Sequence, residues 1–161
     1  MNAAILALFF FAQSQDRVFE FKQVASDQNL FEITTAIRSI TGISALMADA
    51  GKKSITVKGG DDDRMALAAW IAKTLDVKPG QGSGVTSSDY KFTGSGEESD
   101  IRIFFLGSGE NAKSLSALAV KVRVMTGMPR LVTVSGQQAI VLRGSPEQIA
   151  HATRLIQPNG Q

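Results

Sequence analysis

Apolar residues recur at helical spacing twice in this chain, at Leu30, Ile33, Ile37 and Ile40 and again at Leu115, Leu118, Val122 and Met125. One face of each segment is therefore apolar, and each is predicted to be an amphipathic helix. A short apolar or aromatic run of strand length precedes both helices, Val18–Lys22 in one case and Ile101–Leu106 in the other. Thr41-Gly42 and Thr126-Gly127 mark the two helix ends, because glycine takes a left-handed cap without steric cost. Two more short runs follow each helix, Ser44–Ala48 with Ser54–Lys58 and Arg130–Val134 with Ala139–Arg143, and each pair reads as a hairpin turning through Gly51 or Gly136. Closing helices are signalled by Asp61-Asp62-Asp63, carboxylates at the positive end of a helix dipole, and by Ser145-Pro146-Glu147-Gln148, an N-cap serine with proline at the first helical position. Their inward candidates are Met65, Ala68, Ala69 and Ile71 or Ala72 in the first, and Ile149, Ala152, Leu155 and Ile156 in the second.

The two series are in register. Shifting the chain by 85 positions aligns Arg17–Asp62 with Arg102–Glu147 without a gap, pairing Phe19 with Phe104, Leu30 with Leu115, Thr41-Gly42 with Thr126-Gly127, Gly51 with Gly136 and Ile55 with Ile140. Glycines and apolar positions match together, which indicates an internal repeat. The expected fold class is thus α+β, with two tandem βαββα repeats, each a small sheet covered by two helices. Residues 17–79 form the first repeat and 101–157 the second, with a Gly/Ser/acidic linker over 80–100. Within that linker, Asp89–Thr93 alternates polar and aromatic residues and could add an edge strand. Modules of about 60 residues bury only about 60% of their unfolded surface, so the two are expected to pack together or on a partner.

The N-terminus reads differently. Ala3–Ala12 is an uninterrupted apolar run, too short for a membrane-spanning helix but of the length of a signal-peptide core. Ala12-Gln13-Ser14 supplies small residues for cleavage before Gln15, so residues 1–14 are a candidate signal peptide, although Met1-Asn2 lacks the usual basic residues. The expected mature chain has no transmembrane span and is periplasmic or otherwise exported.

Composition narrows the chemistry. The 161 residues contain no cysteine and one histidine, so disulfides and a His/Cys zinc site are excluded. A single histidine would also have to serve any Ser/His/acid triad, and nothing marks a nucleophile. The net charge of +2 is unevenly spread: residues 17–79 are near balance, 80–100 are acidic, and 101–161 hold seven basic residues against Glu110 and Glu147. Arg123, Arg130 and Arg143 supply much of that local charge and are the candidate interaction residues.

Other motifs carry less. Gly107-Ser108-Gly109-Glu110-Asn111-Ala112 formally fits a dinucleotide fingerprint, yet the corresponding stretch Lys22–Asp27 has no glycine, and no acid follows between Asn111 and Pro146 to hold a ribose. A strand-to-helix turn is the expectation there, with no cofactor. The βαββα order also fits KH-like modules, but no two glycines stand three apart to form their nucleic-acid clamp. Asp61-Asp62-Asp63 lacks the alternating spacing of a calcium loop and reads as a helix cap. His151 lies four residues after Glu147 and reads as a surface residue paired with it. No catalytic, cofactor or metal residue is nominated, and a small-molecule ligand and nucleic acid are disfavoured.

The opening strand Val18-Phe19-Glu20-Phe21-Lys22, the hairpin ending Ser54-Ile55-Thr56-Val57-Lys58-Gly59, and Ala139–Ile149 with its strand, glycine, polar turn and helix resemble the periplasmic N-domains of bacterial secretins. These ring-building, KH-like βαββα modules occur in type II and type III secretion and type IV pilus channels. The likeness covers both repeats without the secretin β-barrel. It implies a non-enzymatic scaffold or adaptor of the envelope, acting through a protein partner or self-association. The alternative is a binding module for an anionic ligand, nucleic acid or envelope polymer, through the basic second repeat.

Overall fold

The computed structural model describes residues 16–78, 84–94, 96, 98–107 and 112–158. The candidate signal peptide, the start of the linker and most of the Gly107–Ala112 motif lie outside them. The first unit runs β1 (Arg17–Glu20), α1 (Asp27–Thr41), β2 (Leu46–Asp49), β3 (Ser54–Val57) and α2 (Asp62–Leu75). The second runs β4 (Thr86–Lys91), β5 (Asp100–Phe105), α3 (Ala112–Thr126), β6 (Arg130–Val134), β7 (Ala139–Gly144) and α4 (Pro146–Ile156). The fold is α+β, with two small antiparallel sheets and four helices in two βαββα-like units. Helices α1 and α3 begin and end 85 residues apart.

Several helix boundaries have a local cause. Ser26 caps α1 by accepting from the Asn29 N–H at 3.2 Å, and Asp61 caps α2 from the Arg64 N–H at 2.8 Å. Ser145 and Gln148 cap α4 reciprocally: the Ser145 N–H donates to Gln148 Oε1 at 3.0 Å, and the Gln148 N–H to Ser145 Oγ at 3.3 Å. Gly42 and Gly127 close α1 and α3 at φ 74° and 65°. The second hairpin turns through a short 3-10 segment, Ser135–Gln137, rather than a two-residue loop.

The two units do not share a sheet. One sheet has the order β1-β3-β2, the other β4-β5-β7-β6. Strand β4 pairs along its whole length with β5, Thr86 opposite Phe105 through Lys91 opposite Asp100. It begins three residues before the expected edge strand. Its sequence is polar apart from Tyr90, so the ladder to β5, not an apolar pattern of its own, sets its start.

Stacking is the central feature. Helix α1 packs on β2 and β3 on one side and across β6 and β7 on the other, while α3 and α4 cover the opposite face of the second sheet. The order through the molecule is sheet, helix pair, sheet, helix pair. Strand β7 is consequently buried along its whole length, with alternate residues serving two cores. Ala139 and Val141 join Ile101 and Ile103 beneath α1 and α2, whereas Ile140 and Leu142 join Phe104 beneath α3 and α4.

Double coverage explains where the apolar faces depart from expectation. On α1 every expected position, Leu30, Ile33, Ile37 and Ile40, is buried. On α3, covered on one side only, Leu115 and Val122 are buried but Met125 is half exposed. Helix α2 buries Leu67 fully, beyond the expected Met65, Ala68, Ile71 and Ala72, and Ala69 is only partly covered.

Candidate functional site

Polar groups hold the two units in register at both ends of α1. At the N-terminal end Asn29 and Gln137, both buried, exchange side-chain hydrogen bonds. One turn on, Glu32 accepts from the Ser135 N–H at 2.7 Å, from the Ser135 hydroxyl and from the Gly136 N–H at 3.4 Å. A carboxylate thus satisfies backbone donors that the 3-10 turn leaves open. Gly136 is required for this approach, since a Cβ there would stand 2.2 Å from Asn29 Nδ2. Gly136→Ala is expected to displace the Asn29–Gln137 pair and destabilise the protein by about 1–3 kcal/mol, read as a lowered thermal midpoint.

The C-terminal end of α1 meets arginines. Arg143 is 6% exposed. Its Nη1 donates to the Ile40 carbonyl at 2.7 Å, its Nε donates to the Glu98 carbonyl at 3.0 Å, and the guanidinium lies 4.3 Å from the centroid of the Phe92 ring. A cation at a helix C-terminus offsets the orphan carbonyls and the negative end of the dipole. Burial, with the neighbouring Arg130 and Arg64 charges, holds the Arg143 guanidinium below its ordinary range, against the opposing pull of Glu98. Arg130 ion-pairs with Glu98 at 3.2 Å and reaches the same Ile40 carbonyl at 3.5 Å.

A polar hollow of about 310 Å³ opens here, lined by Thr41, Asp61, Asp63, Arg64, Arg130 and Arg143. Its charges are matched rather than one-sided, for Arg64 pairs with Asp61 at 3.3 Å. A second hollow, of about 370 Å³, lies by β4 between Val77, Thr86, Ser88, Phe105 and Leu106, with Lys78 as its charged lining residue. Among the described residues neither lining contains a histidine or a cysteine.

The three candidate arginines therefore occupy different environments. Arg143 is inside the junction and Arg130 at its rim. Arg123 is exposed on α3 and donates through Nη2 to the Leu131 carbonyl at 2.7 Å, bracing the helix against β6. The structure brings Arg130 and Arg143 together on Ile40 and leaves Arg123 apart. Glu147, expected to pair with His151, instead accepts from Ser145 Oγ at 2.9 Å. Neither acid is marked by any motif: Glu32 ties α1 to the 3-10 turn of the other unit, and Glu98 anchors Arg143 and Arg130 within the second unit where they meet Ile40.

Large apolar side chains also remain on the outer layers. Val18 and Met47 on the first sheet are 58% and 63% exposed, and Val120, Val124 and Met125 on α3 are 57%, 76% and 50% exposed. Among the described residues no helix is long and apolar enough to cross a membrane.

No family model matches this chain, and no curated protein matches it. Among solved structures the chain is similar to the N-terminal domain of the secretin XcpQ from Pseudomonas aeruginosa, at 15% identity over 89% of this chain and 60% of that one, with a TM-score of 0.34. It is also similar to the cryo-EM structure of the type II secretion system secretin XcpQ from the same organism, at 12% identity and a TM-score of 0.32, covering 91% of this chain and 32% of that one. The chain spans less than two thirds of the length of either.

Proposed function

We propose that this protein is a non-enzymatic scaffold or adaptor of the bacterial envelope, exported to the periplasm and acting through protein–protein contacts of two secretin N-domain-like modules. The observation that carries the reading is the exposed apolar surface on both outer layers, Val18 and Met47 on one side and Val120, Val124 and Met125 on the other. Apolar side chains grouped on an outer face mark protein contact. The polar groups that could have served chemistry, Arg143, Arg130, Glu32 and Asn29, reach across from one unit to the other. That use also removes two arginines from any basic surface for an anionic ligand, which is why protein contact is preferred.

Fractionation of the producing cell, with sequencing of the mature N-terminus and sizing of the native species in one sample, tests this. The expected result is a chain beginning at Gln15, in the envelope fraction, in a complex larger than one chain. An uncleaved Met1 in the cytoplasm would overturn it.

A further inference from the structure

Helix α3 lies in the outer layer of the stack, with the second sheet on one side of it. Leu115, Ala119 and Val122 face the core of that sheet. The opposite side carries Ala117, Val120 and Val124, spaced at i, i+3 and i+7, and all three are exposed. The helix is thus apolar front and back, whereas a surface helix ordinarily turns a polar side to water.

Cations border the outward stripe. At about 100° per residue, Arg123 stands on one side of the Val120–Val124 line and Lys121 on the other, with Lys113 beyond the N-terminal end of the stripe. No acid occurs in α3. Lys121 and Arg123 enter no ion pair among the described residues. Arg123 spends a single N–H on the Leu131 carbonyl, which holds its side chain beside the helix without neutralising it. In the same layer α4 adds Arg154 and one acid, Glu147.

The other end of the stack is different. On the first sheet the exposed Val18 and Met47 are accompanied by charges that pair off, Lys58 with Asp16 and Lys52 with Asp49. The unpaired positive charge therefore lies at the helical end, where it flanks apolar side chains.

An apolar stripe between long cationic side chains matches the boundary of an anionic bilayer, where the stripe enters the acyl edge and the cations reach up to the phosphates. A protein partner instead seats its anchors in pockets, and neither hollow described above borders α3.

We propose that the outward face of α3 docks on an anionic lipid surface, with Ala117, Val120 and Val124 entering the headgroup–acyl boundary and Lys121 and Arg123 meeting lipid phosphates on either side. At 15 residues the helix lies along the surface and does not cross it. The inference goes beyond the protein-contact reading: it assigns the helical end of the stack to lipid and leaves the Val18–Met47 face for protein.

Flotation of the purified full chain with vesicles tests this, comparing phosphatidylcholine alone with an equimolar mixture of phosphatidylcholine and phosphatidylglycerol. The chain is expected to float with the mixed vesicles, to bind phosphatidylcholine ~10-fold more weakly or worse, and to lose binding as salt is raised. Lys121→Glu is expected to weaken binding ~10-fold or more, whereas Lys52→Glu, the same charge change on the first hairpin, leaves it within ~2-fold. The double variant Val120→Ser/Val124→Ser alters no charge and is expected to weaken binding ~10-fold, with circular dichroism verifying its fold. A wild-type chain that does not float with the mixed vesicles overturns the contact and leaves α3 to a protein partner. Binding that the double variant does not reduce, or that Lys52→Glu weakens as far as Lys121→Glu, is attraction set by net charge and overturns it. Binding that no α3 variant reduces belongs elsewhere in the chain, the apolar Ala3–Ala12 run included, and overturns it as well. None of these outcomes touches the envelope reading, which the fractionation experiment decides separately.

Discussion

Arg143→Ala is expected to lower stability by about 2–4 kcal/mol, and Arg143→Lys to recover only part of that loss. The guanidinium spans three partners at once: the Ile40 carbonyl at the end of α1, the Glu98 carbonyl ahead of β5, and the face of Phe92. Truncation leaves the Ile40 carbonyl with only the long Arg130 contact at 3.5 Å and takes the Arg143 donor from the Glu98 carbonyl, and an unmet buried acceptor costs about 1–3 kcal/mol. Loss of the stacked contact with Phe92 adds about 0.5–2 kcal/mol. Partial compensation comes from no longer burying a charge, the main cause that depresses Arg143, and from relief of the Arg130 and Arg64 repulsion that adds to it, and this keeps the total near the middle of the range. Lysine restores the charge but not the fork, since one ammonium on a flexible stem cannot reach two carbonyls in different elements while lying flat on a ring. Urea unfolding of the wild type and the two variants measures the series. A neutral Arg143→Ala would show that the junction is held by its apolar contacts alone.

Arg143 also shows where sequence reasoning stopped. Its charge was legible as a basic contribution to the second unit, but its place was not, because a residue after Ala139-Ile140-Val141-Leu142 reads as the end of a strand with one covered face. The structure covers both faces of β7. Four consecutive apolar residues were the available signal: a strand with one face in water alternates, and a strand without alternation is covered on both sides. The same double layer accounts for Met125, placed inward by helical spacing and half exposed because α3 has a sheet on one side only. Elements governed by local chemistry were read closely. Strand β6 occupies Arg130–Val134 as expected, and the Ser145–Gln148 capping box forms. What escaped were pairings between distant segments, Asn29 with Gln137 and Glu32 with Ser135, since the repeat aligns each unit with its copy and does not show how one unit packs on the other.

Leu142→Ala is expected to destabilise both units together, by about 2–5 kcal/mol, and Trp70 fluorescence will report the full shift. Leu142 is fully buried in the core under α3 and α4. Trp70, the chain's one tryptophan, lies in α2 against the other core, its ring 5.2 Å from that of Tyr90 on β4. If the units were stable separately, a cavity at Leu142 would lower the far-ultraviolet circular dichroism transition of the second and leave the Trp70 transition in place. The shared strand argues otherwise. Losing β7 from the second sheet removes Val141 and Ala139 from the first core at the same moment, and it strips α1 of the surface that buries Ile40. Each unit alone is near the size at which burial barely offsets chain entropy, so neither has stability to spare once that face opens. One coincident transition by the two probes, displaced equally by Leu142→Ala, is the expected outcome, and a Trp70 midpoint unmoved by the substitution would show that the layers unfold independently.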